Sequence, residues 1–209
     1  MKPEALLLDL DGTLVDSEPL HRRGYADFLA ARGWSVPDLS VFTGRRAEDV
    51  FVTEPGPWTG QDPLELLAEV VRFIPTEPPE PLPGAVALMA AARSSGVAMA
   101  IVTSAGPAWV TRCLSVLGCP VDVVVTADDI VDGKPDPAGY VLACLRLGVA
   151  PDATWAVEDS PAGVRSALDA GVGAVHGVAT THDPDVLSAA GAHVVHADPA
   201  PLAELLASA

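Results

Sequence analysis

Two carboxylates two residues apart, Asp9 and Asp11, close an apolar run that begins at Leu6, and Gly12 follows them. A short apolar run ahead of a turn signal reads as a buried strand of a parallel sheet. Ligands of open α/β sheets lie beyond the carboxyl ends of such strands. Side chains alternate along a strand, so this spacing sets both carboxylates to one side, while Gly12 lets the backbone turn away. Like charges this close need a cation between them. Mg²⁺ suits them, since it takes one or two carboxylates, keeps several waters and accepts a substrate phosphate oxygen. A calcium loop of the D-x-[DN]-x-[DN]-G kind would need a third ligand where Thr13 stands and a helix in front of it. Turn capping by the two aspartates is the structural alternative.

Three further stretches carry chemistry of the same kind. The apolar run Val97 to Val102 ends in Thr103-Ser104-Ala105-Gly106, hydroxyls and free N–H groups ahead of a helix that begins at Pro107, which could cradle a phosphate or simply cap the helix. Lys134, in Gly133-Lys134-Pro135-Asp136-Pro137, is one of only two lysines, the other being Lys2. A chain that otherwise uses arginine keeps a compact point charge at a helix entrance, where it could meet a carboxylate and a phosphate oxygen. Glu158-Asp159-Ser160 follows the apolar strand Trp155 to Val157 and places two more acids at the sheet edge that carries Asp9, as a metal site or as helix caps.

These residues need a scaffold that brings strand ends together, and the chain alternates in a way that supplies one. Strands are expected at 97–102, 121–125, 154–157, 172–176 and 192–196, with helices at 107–117, 137–147, 161–170 and 199–206. Such alternation implies an α/β fold, a Rossmann-like parallel sheet with helices on both faces. Between the first strand and this region the pattern is helical. A helix is expected over 17–33, a second from Ala47, and a third opened by Asp62-Pro63, its stripe formed by Leu64, Leu67, Val71 and Ile74. Prolines at 75, 78, 79, 81 and 83 then stiffen an extended connection. The expected organisation is a core of residues 1–16 and 83–209 with a small helical cap, 17–82, inserted beside Asp9 and Asp11.

A formal net charge of −16 at pH 7 argues against nucleic acid or an anionic membrane as the partner. Cys113, Cys119 and Cys144 show no C-x-x-C spacing and read as reduced thiols. No signal-like opening or membrane-length apolar run occurs, so a cytoplasmic location is the expectation. Nothing sets the oligomeric state, for which a monomer is the simpler expectation. His176, His182, His193 and His196 show no metal spacing and read as surface or core.

The stretch from Asp9 to Ser17 resembles the first motif of the haloacid dehalogenase-like hydrolases, D-x-D-G-T-[LV]-x-D-[ST]. Thr103 matches the second motif, Gly133-Lys134-Pro135 the third, G-K-P-x-P, and Glu158-Asp159-Ser160 the fourth, E-D-S-x-x-G. The resemblance implies Asp9 as a nucleophile that becomes an aspartyl-phosphate and Asp11 as general acid and base. It further implies that Thr103 binds the transferring phosphoryl group with Ser104 beside it, and that Lys134 neutralises charge. Mg²⁺ would be held by Asp9, Asp11 and Asp159, with Glu158 bound directly or through water. A helical cap is also common in this family. Within the cap, Thr43-Gly44-Arg45-Arg46 resembles the G-x-R segment of sugar-phosphate phosphatases, and His21 lies where several sugar-phosphate members carry a histidine. Both Arg46 and His21 are therefore expected to face the substrate. The expected function is a Mg²⁺-dependent phosphatase acting on a sugar or polyol phosphate. The alternatives are a β-phosphoglucomutase-type mutase, whose cap lysine is missing here, and a non-catalytic metabolite-binding module.

Overall fold

The computed structural model describes residues 2–35, 38–43 and 45–208, so Gly44 of the Thr43 to Arg46 segment lies outside the described residues. In chain order the first elements are β1 (Ala5–Leu8), β2 (Val15–Asp16), α1 (Glu18–Ala31), α2 (Ala47–Thr53), α3 (Pro63–Val70) and β3 (Glu80–Pro81). They are followed by α4 (Ala85–Ser94), β4 (Ala98–Val102), α5 (Pro107–Leu117), β5 (Val123–Val125), α6 (Ala138–Leu147) and β6 (Thr154–Glu158). The chain ends in α7 (Pro161–Asp169), β7 (Ala174–Val178), α8 (Pro184–Ala190), β8 (Val194–His196) and α9 (Ala200–Ala207).

Six strands form one parallel sheet in the order β5-β4-β1-β6-β7-β8. Every residue of β1 is buried, because both faces of a parallel sheet are covered and its strands read as continuous apolar runs. Leu6, Leu8, Met99, Ile101 and Val157 pack under α4, α5 and α9, whereas Leu7, Ala100, Val102 and Ala156 pack under α6, α7 and α8. The chain builds β4 and β5 on one side of β1 and then returns to build β6, β7 and β8 on the other. The reversal at β1 opens a crevice beyond the strand ends, where Asp9 lies.

Several boundaries differ from the sequence expectation for identifiable reasons. The strand expected at 172–176 runs from Ala174 to Val178. Gly171 has φ 80°, its N–H bonds to Leu168 O at 2.9 Å and the Val172 N–H to Ala167 O at 3.1 Å, as at a helix end, so Val172 closes the end of α7 and its side chain buries there. Helices α4 and α8 have no counterpart in the sequence reading. The first is almost all small or apolar, and the second has seven residues, so neither shows a clear polar face. Inside the proline-rich connection, β3 pairs antiparallel with β2, Val15 opposite Pro81 and Asp16 opposite Glu80, which ties together the two strands of chain leading to and from the helical layer.

The helical layer of α1, α2 and α3 gathers its own core, including Phe28, Phe42, Phe51, Trp58, Leu66 and Val70. Asp62 caps α3 as expected, its Oδ1 accepting from the N–H groups of Leu64 at 2.8 Å and Glu65 at 3.2 Å. The expected apolar stripe is turned, however. Leu66 and Val70 enter the core, while Leu64 is 66% and Val71 58% exposed. Two apolar faces compete on this short helix, and the aromatic cluster takes the one nearer Trp58 and Phe51. Among the described residues no helix is long and apolar enough to cross a membrane.

Leu66→Ala should cost about 2–5 kcal/mol by leaving a cavity, and Leu64→Ala less than about 0.5 kcal/mol. Urea unfolding of the two variants measures both, and equal losses would contradict this packing.

Candidate active site

Asp9 follows β1, Glu158 ends β6, Asp159 follows it, and Lys134 arrives from the loop between β5 and α6. The Lys134 ammonium lies 2.5 Å from Asp9 Oδ1 and 2.5 Å from Glu158 Oε1, and donates to Val102 O at 3.0 Å. All four side chains are buried or nearly so. Burial works against the Lys134 charge, but Asp9 and Glu158 outweigh it and hold its pKa above the ordinary lysine value. Burial likewise pushes Asp9 up to about 7, opposed by Lys134 and reinforced by Glu158 and Asp11. Asp159 is raised well above the usual carboxylate range by burial and by the charges of Asp9 and Glu158. One ammonium among three buried carboxylates leaves the cluster short of positive charge.

Carboxylate oxygens of Asp9, Glu158 and Asp159 lie within 4.8 Å of one another. Hard oxygen donors in a buried, charge-deficient cluster fit a small divalent cation such as Mg²⁺. The neighbours hold these oxygens in place. Tyr140 donates to Glu158 Oε1 at 2.6 Å and Ser160 to Glu158 Oε2 at 3.3 Å, while Ser160 Oγ accepts from Gly163 N–H at 3.1 Å and caps α7. The Thr181 hydroxyl donates to Asp159 Oδ2, and the Thr13 hydroxyl lies 3.5 Å from Asp159 Oδ1. Glycine is required at two points. Gly12, at φ 82°, passes so close to Asp159 and Thr181 that a Cβ would collide with both, and a Cβ on Gly163 would enter the Glu158 carboxylate.

The Asp11 carboxylate stands apart from this cluster. Its Oδ1 accepts from the Trp109 indole N–H at 2.8 Å. The expectation that two-residue spacing aims both carboxylates at one cation assumes a strand, but the strand has ended. Leu10 O accepts from the N–H groups of both Leu14 at 2.9 Å and Val15 at 3.1 Å, so Asp11 already belongs to a tight turn. Thr103 is buried, and its Oγ1 accepts from Ala105 N–H at 3.0 Å. Ser104 is half-buried on the same cavity, and its hydroxyl makes no hydrogen bond among the described residues; the Thr103 hydroxyl only accepts, so both side chains keep an O–H to donate to a phosphate oxygen.

A cavity of about 560 Å³ opens from Asp9 and Lys134 to the helical layer, and His21, Ser104, Arg45 and Arg46 border it. His21 lies against the Trp109 ring, with centroids 5.0 Å apart. Arg45 is engaged by Glu54 at 2.7 Å. Two of the Arg46 nitrogens, Nη1 and Nη2, reach across to Val131 O and Ala127 O, both at 3.2 Å. Arg46 thus borders the cavity as expected while two of its nitrogens tie the cap to carbonyls beyond β5, and its Nε has no hydrogen-bond partner among the described residues. Trp109, Tyr140 and Thr181 were not legible as site residues. Tyr140 reads as part of an apolar helix face, and Thr181 follows β7 only once that strand is ended at Val178.

The family model of haloacid dehalogenase-like hydrolases matches residues 3–171, most of the chain. The chain belongs to that family. It is 37% identical over 191 residues to validoxylamine A 7'-phosphate phosphatase of Streptomyces hygroscopicus subsp. limoneus, covering 88% of this chain and 89% of that one. It is 34% identical over 177 residues to hexitol phosphatase A of Escherichia coli K12, covering 82% and 81%. The crystal structure of CbbY from Rhodobacter sphaeroides in complex with phosphate superposes with a TM-score of 0.81 at 25% identity, covering 96% of each chain.

Lys134→Met removes the one cation of the buried cluster and should cost about 3–5 kcal/mol in metal-free protein. Urea unfolding in excess chelator measures it. A loss under about 1 kcal/mol would mean that Asp9 and Glu158 do not depend on the ammonium.

Proposed function

We propose that this chain is a Mg²⁺-dependent phosphatase of small phosphorylated metabolites, sugar or polyol phosphates, working through an aspartyl-phosphate on Asp9. The observation that carries the reading is the Asp9–Lys134 contact of 2.5 Å at the mouth of a cavity large enough for a metabolite. The phosphatase names of two relatives above 30% identity support it. In this reading residues 1–16 and 83–209 form the catalytic core and 17–82 a cap, and the active form needs no partner chain.

Lys134 occupies Asp9 Oδ1, and Oδ2 has no hydrogen-bond partner among the described residues. That oxygen attacks phosphorus while the bond from phosphorus to the ester oxygen breaks. Asp11 gives its proton to the departing oxygen, then takes one from the water that attacks the aspartyl-phosphate, releasing phosphate and restoring Asp9. Thr103 and Ser104, with neighbouring N–H groups, hold the phosphoryl oxygens. Lys134 neutralises charge that develops on the transferring group. Asp9, Glu158 and Asp159 would hold Mg²⁺, which when bound adds further charge neutralisation there. His21 borders the cavity from the cap and lies within reach of a leaving group. The relatives' names favour hydrolysis over the mutase alternative, and intact acids oppose a purely binding role.

Asp9→Asn should abolish phosphate release from sugar phosphates while leaving the unfolding transition intact. Excess EDTA should also stop the wild-type reaction, with Mg²⁺ restoring it. Substantial turnover by the purified variant would sink the covalent step, and full activity in EDTA would remove the cation. Free phosphate must be the main product, whereas conversion of β-glucose 1-phosphate to glucose 6-phosphate with little phosphate release would identify a mutase.

Arg46→Ala opens the contact between cap and core, so it should lower kcat/KM by about tenfold or more on large and small esters alike, the cost of losing charged hydrogen bonds. Loss confined to the large esters would return Arg46 to substrate recognition.

A further inference from the structure

One face of α3 runs from the edge of the cap core, where Leu67 and Ile74 pack, out to side chains that are largely uncovered among the described residues. Leu64 and Val71 are 66% and 58% exposed, and with Leu67 and Ile74 they border the cavity that contains Asp9 and Lys134. Positions 64, 67 and 71 share one side of a helix, so these side chains form a continuous wall. Single exposed apolar residues are ordinary, but a patch of them that continues into a catalytic cleft marks a binding surface. Trp109, at the start of α5, borders the same space from the core.

The arginines on this cavity are held in two ways, by carboxylates or by backbone carbonyls. Arg22 pairs with Glu18 at 2.6 Å, Arg45 with Glu54 at 2.7 Å, Arg46 with two backbone carbonyls, and Arg112 donates to Pro75 O at 3.3 Å while lying over the Trp109 ring. A volume of about 560 Å³ is in the range of pockets that take ligands of some 300–1,000 Å³ class, and a phosphoryl group on a three-carbon polyol would leave much of it empty.

We infer that the substrate is a monophosphate ester whose leaving group is a bulky cyclic alcohol or glycoside turning a C–H face to the Leu64–Val71 wall. Open-chain polyols fit it less well. The inference rests on the phosphatase reading and narrows it. A hydroxyl placed against Leu64 or Val71 would give up its hydrogen bonds to water with no acceptor in return. A ring face loses nothing there and removes the wall from water.

The test uses two primary-alcohol esters, cyclohexylmethyl phosphate and sorbitol 6-phosphate, with 2-cyclohexylethylphosphonate as a ligand that cannot be hydrolysed. Wild-type protein should favour the cyclohexylmethyl ester by about tenfold in kcat/KM. The double variant Leu64→Asn, Val71→Asn should raise KM for that ester about tenfold with kcat retained, and change KM for sorbitol 6-phosphate less than twofold. Calorimetry should show about tenfold weaker phosphonate binding, with an unchanged thermal midpoint because both sites are exposed. Preference for sorbitol 6-phosphate, an equal KM rise for both esters, or unchanged phosphonate affinity would each overturn the inference. An equal rise would instead make the wall a surface on which the cap closes. If the phosphonate binds and weakens as stated while neither ester releases phosphate, the wall stands and the phosphatase reading falls.

Discussion

The ammonium of Lys134 between Asp9 and Glu158 is the contact on which the remaining geometry depends. It joins the ends of β1 and β6 to a loop more than a hundred residues from Asp9 in sequence, and its third bond, to Val102 O, includes the end of β4. Three neighbouring strands thus meet at one positive charge. Such a cluster is a poor way to gain stability, since the cost of desolvating the ions rivals their attraction. Three carboxylates around one ammonium make it worse, and raised pKa values of Asp9 and Asp159 record that imbalance. A buried cluster with this imbalance could hold a cation, as the proposed reaction requires, with the surrounding apolar sheet offsetting its cost in stability.

The second constraint is the approach of the helical layer. Both connections to it pass through the β2–β3 pair, beside the turn that carries Asp11. The same approach is held at a distance from that pair by Arg46, whose guanidinium grips carbonyls beyond β5. A hydrogen-bonded pair of strands at one end and a clasp at the other fix how far the α3 face stands from Asp9. The space left between them sets the size of leaving group that the chemistry can serve.

What was legible in the sequence was local. Asp9, Lys134, Glu158 and Asp159 could be found because each sits at a strand end or helix entrance whose signals lie within a few neighbours, and the strand–helix alternation placed all of them on one edge. The cap of α3 by Asp62 was readable for the same reason. What failed depended on distant partners. The buried face of α3 was decided by Phe51 and Trp58, not by the periodicity of α3 itself. Arg46 found carbonyls some eighty residues away, and Tyr140 and Thr181 became site residues only through the packing of α6 and the end of β7. Asp11 failed for a local reason that period-two reasoning overlooks: the strand stops at Leu8, and a turn re-aims the next carboxylate.

That re-aiming gives Trp109 a double part in the site. Its indole N–H holds one oxygen of Asp11, while its ring borders the cavity opposite the α3 wall and touches His21. The indole nitrogen can only donate, so the bonded oxygen of Asp11 is fixed as an acceptor and, in the proposed reaction, its other oxygen would face the leaving group. The ring that the leaving group would lie near is therefore the one that orients the carboxylate meant to serve it. Arg112 over the opposite part of the ring, itself anchored to Pro75 O, limits how the indole can turn. A change at Trp109 would therefore act on both the aim of the Asp11 carboxylate and one wall of the cleft.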